Sequence, residues 1–114
     1  MHELSVTENI LNIACQHAEQ AQAKKVTDIY LVIGQLSSIV DDSVQFYWDI
    51  ISKDSLCEQS KLHFCRIPAE LRCLDCNNTY ILENDLIPCP ACNSTNVKVI
   101  KGNEFHLESI DITT

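Results

Sequence analysis

The sequence predicts an α+β fold: a small unit of two helices on a roughly three-stranded sheet, with a four-cysteine module inserted before the last strand. Two segments carry apolar residues at helical spacing, after Ser5 and after Asp42. Three segments are rich in β-branched and alternating apolar residues, at 26–34, 61–67 and 104–112. Between 70 and 102, paired cysteines replace aliphatic periodicity. Residues 1–69 are therefore expected to form the body, 103–114 to return as its final strand, and 70–102 to form the module.

Ser5 and Glu8 make a Ser-x-x-Glu capping box, which places the first helix start near Val6. Val6, Ile10, Ile13 and His17 run down one side, with Leu4, Leu11, Ala14, Ala18 and Ala21 beside them. That stripe carries the helix to about Ala23, where Lys24 and Lys25 suit its negative end. Val26–Gly34 is apolar on both parities from Ile29, which predicts a strand buried on both faces. Asp42, with Gln45 three residues on, predicts the cap of a second helix. Val44, Tyr47, Trp48 and Ile51 give it one apolar stripe, and it should fade near Lys53–Ser55. Lys61–Ile67 alternates, with Leu62 and Phe64 on one face and His63 and Cys65 on the other. In Glu104–Ile112 the apolar parity switches between Leu107 and Ile110, which predicts a bulge near Glu108 and Ser109.

The formal charge is −8. Within 70–103, three Lys or Arg face four Asp or Glu, so the module lacks the basic footprint of a nucleic-acid binder. The longest uncharged apolar run, Ile29–Ile33, is too short to span a bilayer, and no basic region precedes an apolar one at the start. The expected setting is cytoplasmic, without membrane or nucleic acid. No Ser–His–Asp set, glycine-rich phosphate loop or open metal site supports an enzyme.

Seven cysteines are many for 114 residues, and an odd number argues against a fully paired disulfide framework. Four of them form Cys73-Leu-Asp-Cys76 and Cys89-Pro-Ala-Cys92, twelve residues apart. Two cysteines separated by two residues turn their sulfurs toward one point, and two such pairs supply the all-thiolate tetrahedron of structural zinc sites. The spacer has room for a β-hairpin, with Thr79–Leu82 strand-like. Asn77 and Asn93 follow the two pairs, and asparagine tolerates the positive φ that a zinc knuckle needs there. A redox dithiol of thioredoxin type is the weaker reading, since two pairs share one module. Four protein thiolates leave zinc no open position, so the metal accounts for folding and gives no reaction. Cys15, Cys57 and Cys65 read as small hydrophobes. His17, His63 and His106 share no metal spacing.

His2 stands apart. Met1 is expected to be retained because the next side chain is large. Its α-amine, the His2 amide nitrogen and the His2 ring Nδ1 can then close adjacent chelate rings. Planar nitrogen donors suit Ni(II) or Cu(II). With the helix starting near Ser5, residues 1–4 are free to wrap an ion, and Glu3 adds a carboxylate. On composition alone, an inconsequential terminal histidine is the simpler reading.

Met1-His2-Glu3, the helix–strand–helix–strand unit, the Cys73-x2-Cys76…Cys89-x2-Cys92 insert and the closing strand together resemble the HypA/HybF family of hydrogenase nickel-incorporation proteins, over essentially the whole chain. The resemblance implies a nickel metallochaperone that works with a HypB-type GTPase to load the large subunit of [NiFe] hydrogenase; some members also serve urease maturation. It implies that His2 is the nickel histidine, that Glu3 is a supporting carboxylate and that Cys73, Cys76, Cys89 and Cys92 hold zinc. A carboxylate before the second helix assists nickel in some members, and Asp41 or Asp42 is the candidate here. The competing class is a zinc-ribbon interaction adaptor without nickel delivery.

Overall fold

The structure, a computed structural model, describes residues 3–114. Its elements run α1 (Glu3–Gln20), β1 (Lys25–Gly34), α2 (Asp41–Ile51), β2 (Lys61–Ile67), β3 (Glu70–Cys73), β4 (Thr79–Ile81), β5 (Val97–Lys101) and β6 (Phe105–Thr113). The fold is α+β, with two three-stranded sheets ordered β2-β1-β6 and β4-β3-β5. The chain divides into two compact units. One gathers the chain up to Val32, Ser38–Cys65 and His106–Thr114; the other holds Ile33–Ser37 and Arg66–Phe105. No helix among the described residues is long and apolar enough to cross a membrane.

α1 begins at Glu3, earlier than the Ser5 capping box predicts, so Ser5 lies exposed inside the helix. The extra turn is tied within the helix and from outside it: Thr7, fully buried, donates its hydroxyl to the Glu3 carbonyl at 2.5 Å, and the Glu3 carboxylate accepts the Val40 main-chain N–H. The buried stripe is Thr7, Ile10, Ala14 and Ala18. The helix ends three residues short of Ala23 in a Schellman motif. Ala23 N–H donates to the Ala18 carbonyl at 2.9 Å, Gln22 N–H to Glu19 at 3.0 Å, and Gln22 takes φ of 57°. Without a glycine at that position, the sequence does not mark the exact residue at which the helix turns off.

α2 places Val44 and Trp48 in the core and leaves Phe46 and Ile50 exposed. Its N-cap is Val40 and not Asp42; no side chain of the N-cap residue itself makes a capping bond. Both Asp41 and Asp42 fall in the first turn, where negative charge complements the helix dipole. At the other end, Ser52 N–H and hydroxyl both meet the Trp48 carbonyl, at 3.0 and 2.6 Å. The Trp48 indole N–H donates to Ser60 Oγ at 3.1 Å, which satisfies the polar end of a buried ring.

β1 buries Ile29, Leu31 and Ile33 fully, whereas Asp28, Tyr30 and Val32 are half-buried. The expected two-sided burial is thus one-sided. The more open face carries a polar row instead: His63 Nε2 donates to Asp28 at 2.8 Å, Tyr30 stacks on His63 at 4.6 Å and donates its hydroxyl to Asp111 at 2.7 Å. Along β6 the half-buried residues are Phe105 and Leu107, then Ile110 and Ile112, so the parity change predicted at Glu108–Ser109 is present in the burial.

In the second unit, β3 pairs antiparallel with β4 and β5, around a small core of Ala69, Leu71 and Leu82 backed by Tyr80 and Val97. The β3–β4 pairing spans the first cysteine pair, so the hairpin lies across Cys73–Cys76 and not within the twelve-residue spacer as expected. The only two glycines in the sequence meet here. Gly102 has φ of 111°, and a Cβ on Gly34 would overlap the Gly102 carbonyl. That close approach lets Leu36 N–H reach the Gly102 carbonyl at 2.6 Å.

Candidate metal centre

Two knuckles of the same construction bring the cysteines together. In the first, Asn77 N–H donates to the Cys73 carbonyl at 2.9 Å and Cys73 N–H to Asn78 at 2.8 Å. In the second, Asn93 N–H donates to Cys89 at 2.6 Å and Cys89 N–H to Ser94 at 2.9 Å. Asn77 and Asn93 have φ of 64° and 63°, the left-handed turn expected just after each pair. Each knuckle aims its two sulfurs inward, one from a buried residue (Cys73, Cys89) and one from an exposed residue (Cys76, Cys92).

Asp75, between the cysteines of the first knuckle, ties the two together. It accepts the Ser94 hydroxyl and, at 3.3 Å, the Asn96 amide, while Leu74 N–H donates to the Asn96 carbonyl at 2.9 Å. Those side-chain bonds, Ser94 first, hold the Asp75 carboxyl below the usual carboxylate range. The sequence offered no reason to single Asp75 out; its role depends on the folded apposition of two distant turns.

All four sulfurs lie within 4.8 Å of one another, with Cys73–Cys92 at 3.5 Å and Cys76–Cys89 at 3.7 Å. A tetrahedron with metal–sulfur bonds of about 2.3 Å has sulfur–sulfur edges of about 3.8 Å. The donor set therefore fits Zn(II) in number, chemistry and spacing. Asn78 supplies an outer contact, its side-chain amide 3.7 Å from Cys89 Sγ. Without a cation the four thiols resist ionising together. For Cys89, burial is outweighed by main-chain bonds from Cys92 and Ala91, and the thiol is drawn down to about 6. For Cys92, a favourable Ser94 main-chain bond is outweighed by the neighbouring Cys73 and Cys76 thiols, and it is pushed up to about 12. A dication removes that conflict and releases the remaining protons.

Of the residues expected at the N-terminal site, Met1 and His2 lie outside the described residues. Glu3, half-buried, accepts the Val40 main-chain N–H on Oε2 at 3.3 Å. The start of α1 is thus joined to the start of α2, immediately before Asp41 and Asp42. Among the described residues, Cys73, Cys76, Cys89 and Cys92 form the one cluster of three or more His, Cys, Asp or Glu side chains close enough to share an ion. His63 faces Asp28, and His106 lies 3.4 Å from Glu108. Cys65 is exposed, and Cys15 and Cys57 meet each other.

The family described as "Hydrogenase/urease nickel incorporation, metallochaperone, hypA" matches residues 1–112. The hydrogenase maturation factor HypA of Dehalococcoides mccartyi is 45% identical over 98% of this chain and 94% of its own length. That of Caldanaerobacter subterraneus is 38% identical over 98% of this chain and 99% of its own. Among solved structures, the solution structure of the Ni metallochaperone HypA from Helicobacter pylori superposes with a TM-score of 0.72 at 29% identity, covering 99% of this chain and 98% of that one.

Proposed function

The chain belongs to the HypA family of metallochaperones, which serve nickel incorporation in hydrogenase maturation, and we propose that it takes up Ni(II) at Met1-His2-Glu3 for transfer to the large subunit of a [NiFe] hydrogenase. Its work is metal delivery and not catalysis. Nickel is the cargo, held by the α-amine, the His2 amide and ring nitrogens, with the Glu3 carboxylate in support and Asp41 or Asp42 assisting. The observation that carries the reading is the Glu3–Val40 contact. It fixes a carboxylate of the expected nickel set beside the acidic first turn of α2, next in sequence to His2.

The nickel-binding unit comprises residues 1–69 completed by 103–114, and the zinc module residues 70–102. Zn(II) in the four-thiolate cage stabilises the module, whose own apolar core is only a few residues. A HypB-type GTPase is the partner in transfer, docking on the exposed α1 face that includes Glu8, Asn12, Gln16 and Glu19. Urease maturation proteins are a second recipient class. Thiolate ligands that must stay reduced support a cytoplasmic setting.

Metal analysis separates this reading from a zinc-ribbon adaptor. The purified protein should hold one tight zinc and take up one labile nickel, and chelating the zinc should unfold β3, β4 and β5 while α1 and α2 keep their helical signal. Zinc content unchanged by Cys73→Ala, or no nickel uptake, would contradict it.

A further inference from the structure

Three cysteines stand outside the zinc cage, and two of them, 42 positions apart, face each other. Cys15 on α1 and Cys57 in the turns between α2 and β2 have their sulfurs 3.7 Å apart. Cys57 is wholly buried and Cys15 is partly exposed. The main chain at Cys57 is pinned on both sides. Its N–H donates to Ser55 Oγ at 3.1 Å, and its carbonyl accepts Ser60 N–H at 3.0 Å and the Ser60 hydroxyl at 2.6 Å. Neither thiol belongs to the nickel or zinc chemistry above. The sulfurs need to approach by about 1.7 Å to reach the roughly 2.05 Å of a disulfide bond, and the partly exposed helix side is the one with room to move.

We propose that Cys15 and Cys57 are an oxidative modification site, a dithiol that hydrogen peroxide converts into a disulfide tying α1 to the turns that follow α2. Solvent access assigns the roles. Cys15 reacts first: its thiolate attacks one peroxide oxygen, the S–O bond forms, the O–O bond breaks, and the departing hydroxide leaves as water with the thiol proton. Cys57 resolves the sulfenic acid. Its sulfur attacks the Cys15 sulfur, the S–S bond forms and the S–O bond breaks. The hydroxide released takes the Cys57 proton and leaves as a second water. Two thiols lose two electrons in total and one peroxide becomes two waters. Burial, first, and the adjoining Cys15 push the Cys57 thiol up to about 12, which fits its coming second.

The sequence makes the test clean. Cleavage after Lys24, Lys53 and Lys61 isolates Cys15 in peptide 1–24 and Cys57 in peptide 54–61, each the only cysteine of its peptide. The zinc-loaded full chain is treated with hydrogen peroxide, its remaining thiols are blocked, and it is digested without reductant. The expected product is peptide 1–24 joined to 54–61 at two hydrogens below the summed mass, absent in Cys15→Ser and in Cys57→Ser. The only tryptophan, Trp48, touches Ser60 and through it Cys57, so its fluorescence should shift on oxidation and return with dithiothreitol. Complete oxidation of exposed Cys65 while both peptides remain as thiols would overturn the proposal.

Discussion

The Glu3 carboxylate accepts the main-chain N–H of Val40 at 3.3 Å, so a side chain from the first helix closes the start of the second. Val40 makes no cap of its own. Glu3 therefore has an architectural task that is separable from the nickel role proposed for it. Glu3→Gln keeps an acceptor oxygen and should leave thermal stability within about 0.5 kcal/mol of wild type. Glu3→Ala should cost about 0.5–2 kcal/mol, the range for a lost N-terminal cap. Both should weaken nickel uptake, since both remove the charge. If Glu3→Gln binds nickel as wild type does, the carboxylate acts only as a cap.

The knuckle asparagines give a second outcome. Asn77 and Asn93 sit near φ of 64°, where an L-residue with a plain Cβ pays about 1–2 kcal/mol. Asn93→Ala should weaken zinc binding roughly tenfold, a free energy of about 1.4 kcal/mol, whereas Asn93→Gly should hold zinc close to the wild-type level. A competition titration against a chromogenic chelator reads both. Equal loss in the two variants would mean that the asparagine side chain, and not its backbone conformation, matters.

Much of this site was legible in the sequence because its determinants are local. A Cys-x2-Cys pair and the asparagine after it specify one turn, and each knuckle adopts it. The helix starts were misread for the opposite reason. Ser5 and Asp42 have the right chemistry for caps, but α1 runs back to Glu3, whose carboxylate meets Val40 at the start of α2, and that contact depends on where another element lies. Asp75 and the Cys15–Cys57 pair were invisible for the same reason, since spacing along the chain says nothing about apposition across it.

The polar row on β1 makes the first unit sensitive to acid. The His63 ring N–H, first, and the Thr27 side chain hold the Asp28 carboxyl below its usual 3.8. A depressed carboxyl contributes stability above its unfolded value, and that contribution is lost as pH falls through the lower folded value. The stability advantage of wild type over Asp28→Asn should hold at about pH 5 and shrink from about pH 4 downward. Zinc release in acid affects both proteins alike and cancels in the difference. Thermal midpoints of the pair at several pH values check this; a difference independent of pH would contradict it.

The central claim is that nickel is held at the N-terminus through His2, and calorimetric titration of the zinc-loaded protein with Ni(II) tests it most directly. Wild type should bind one nickel and release protons, because the α-amine, which titrates near ~8, and the main-chain amide must give theirs up. Binding should weaken as pH falls through about 6.5, where the imidazole becomes protonated. His2→Ala should show no nickel binding while its zinc content and helical signal stay at wild-type levels. An extra residue before Met1 should weaken binding by removing the amine from the chelate. Equal nickel affinity in wild type, His2→Ala and the extended protein would contradict the account.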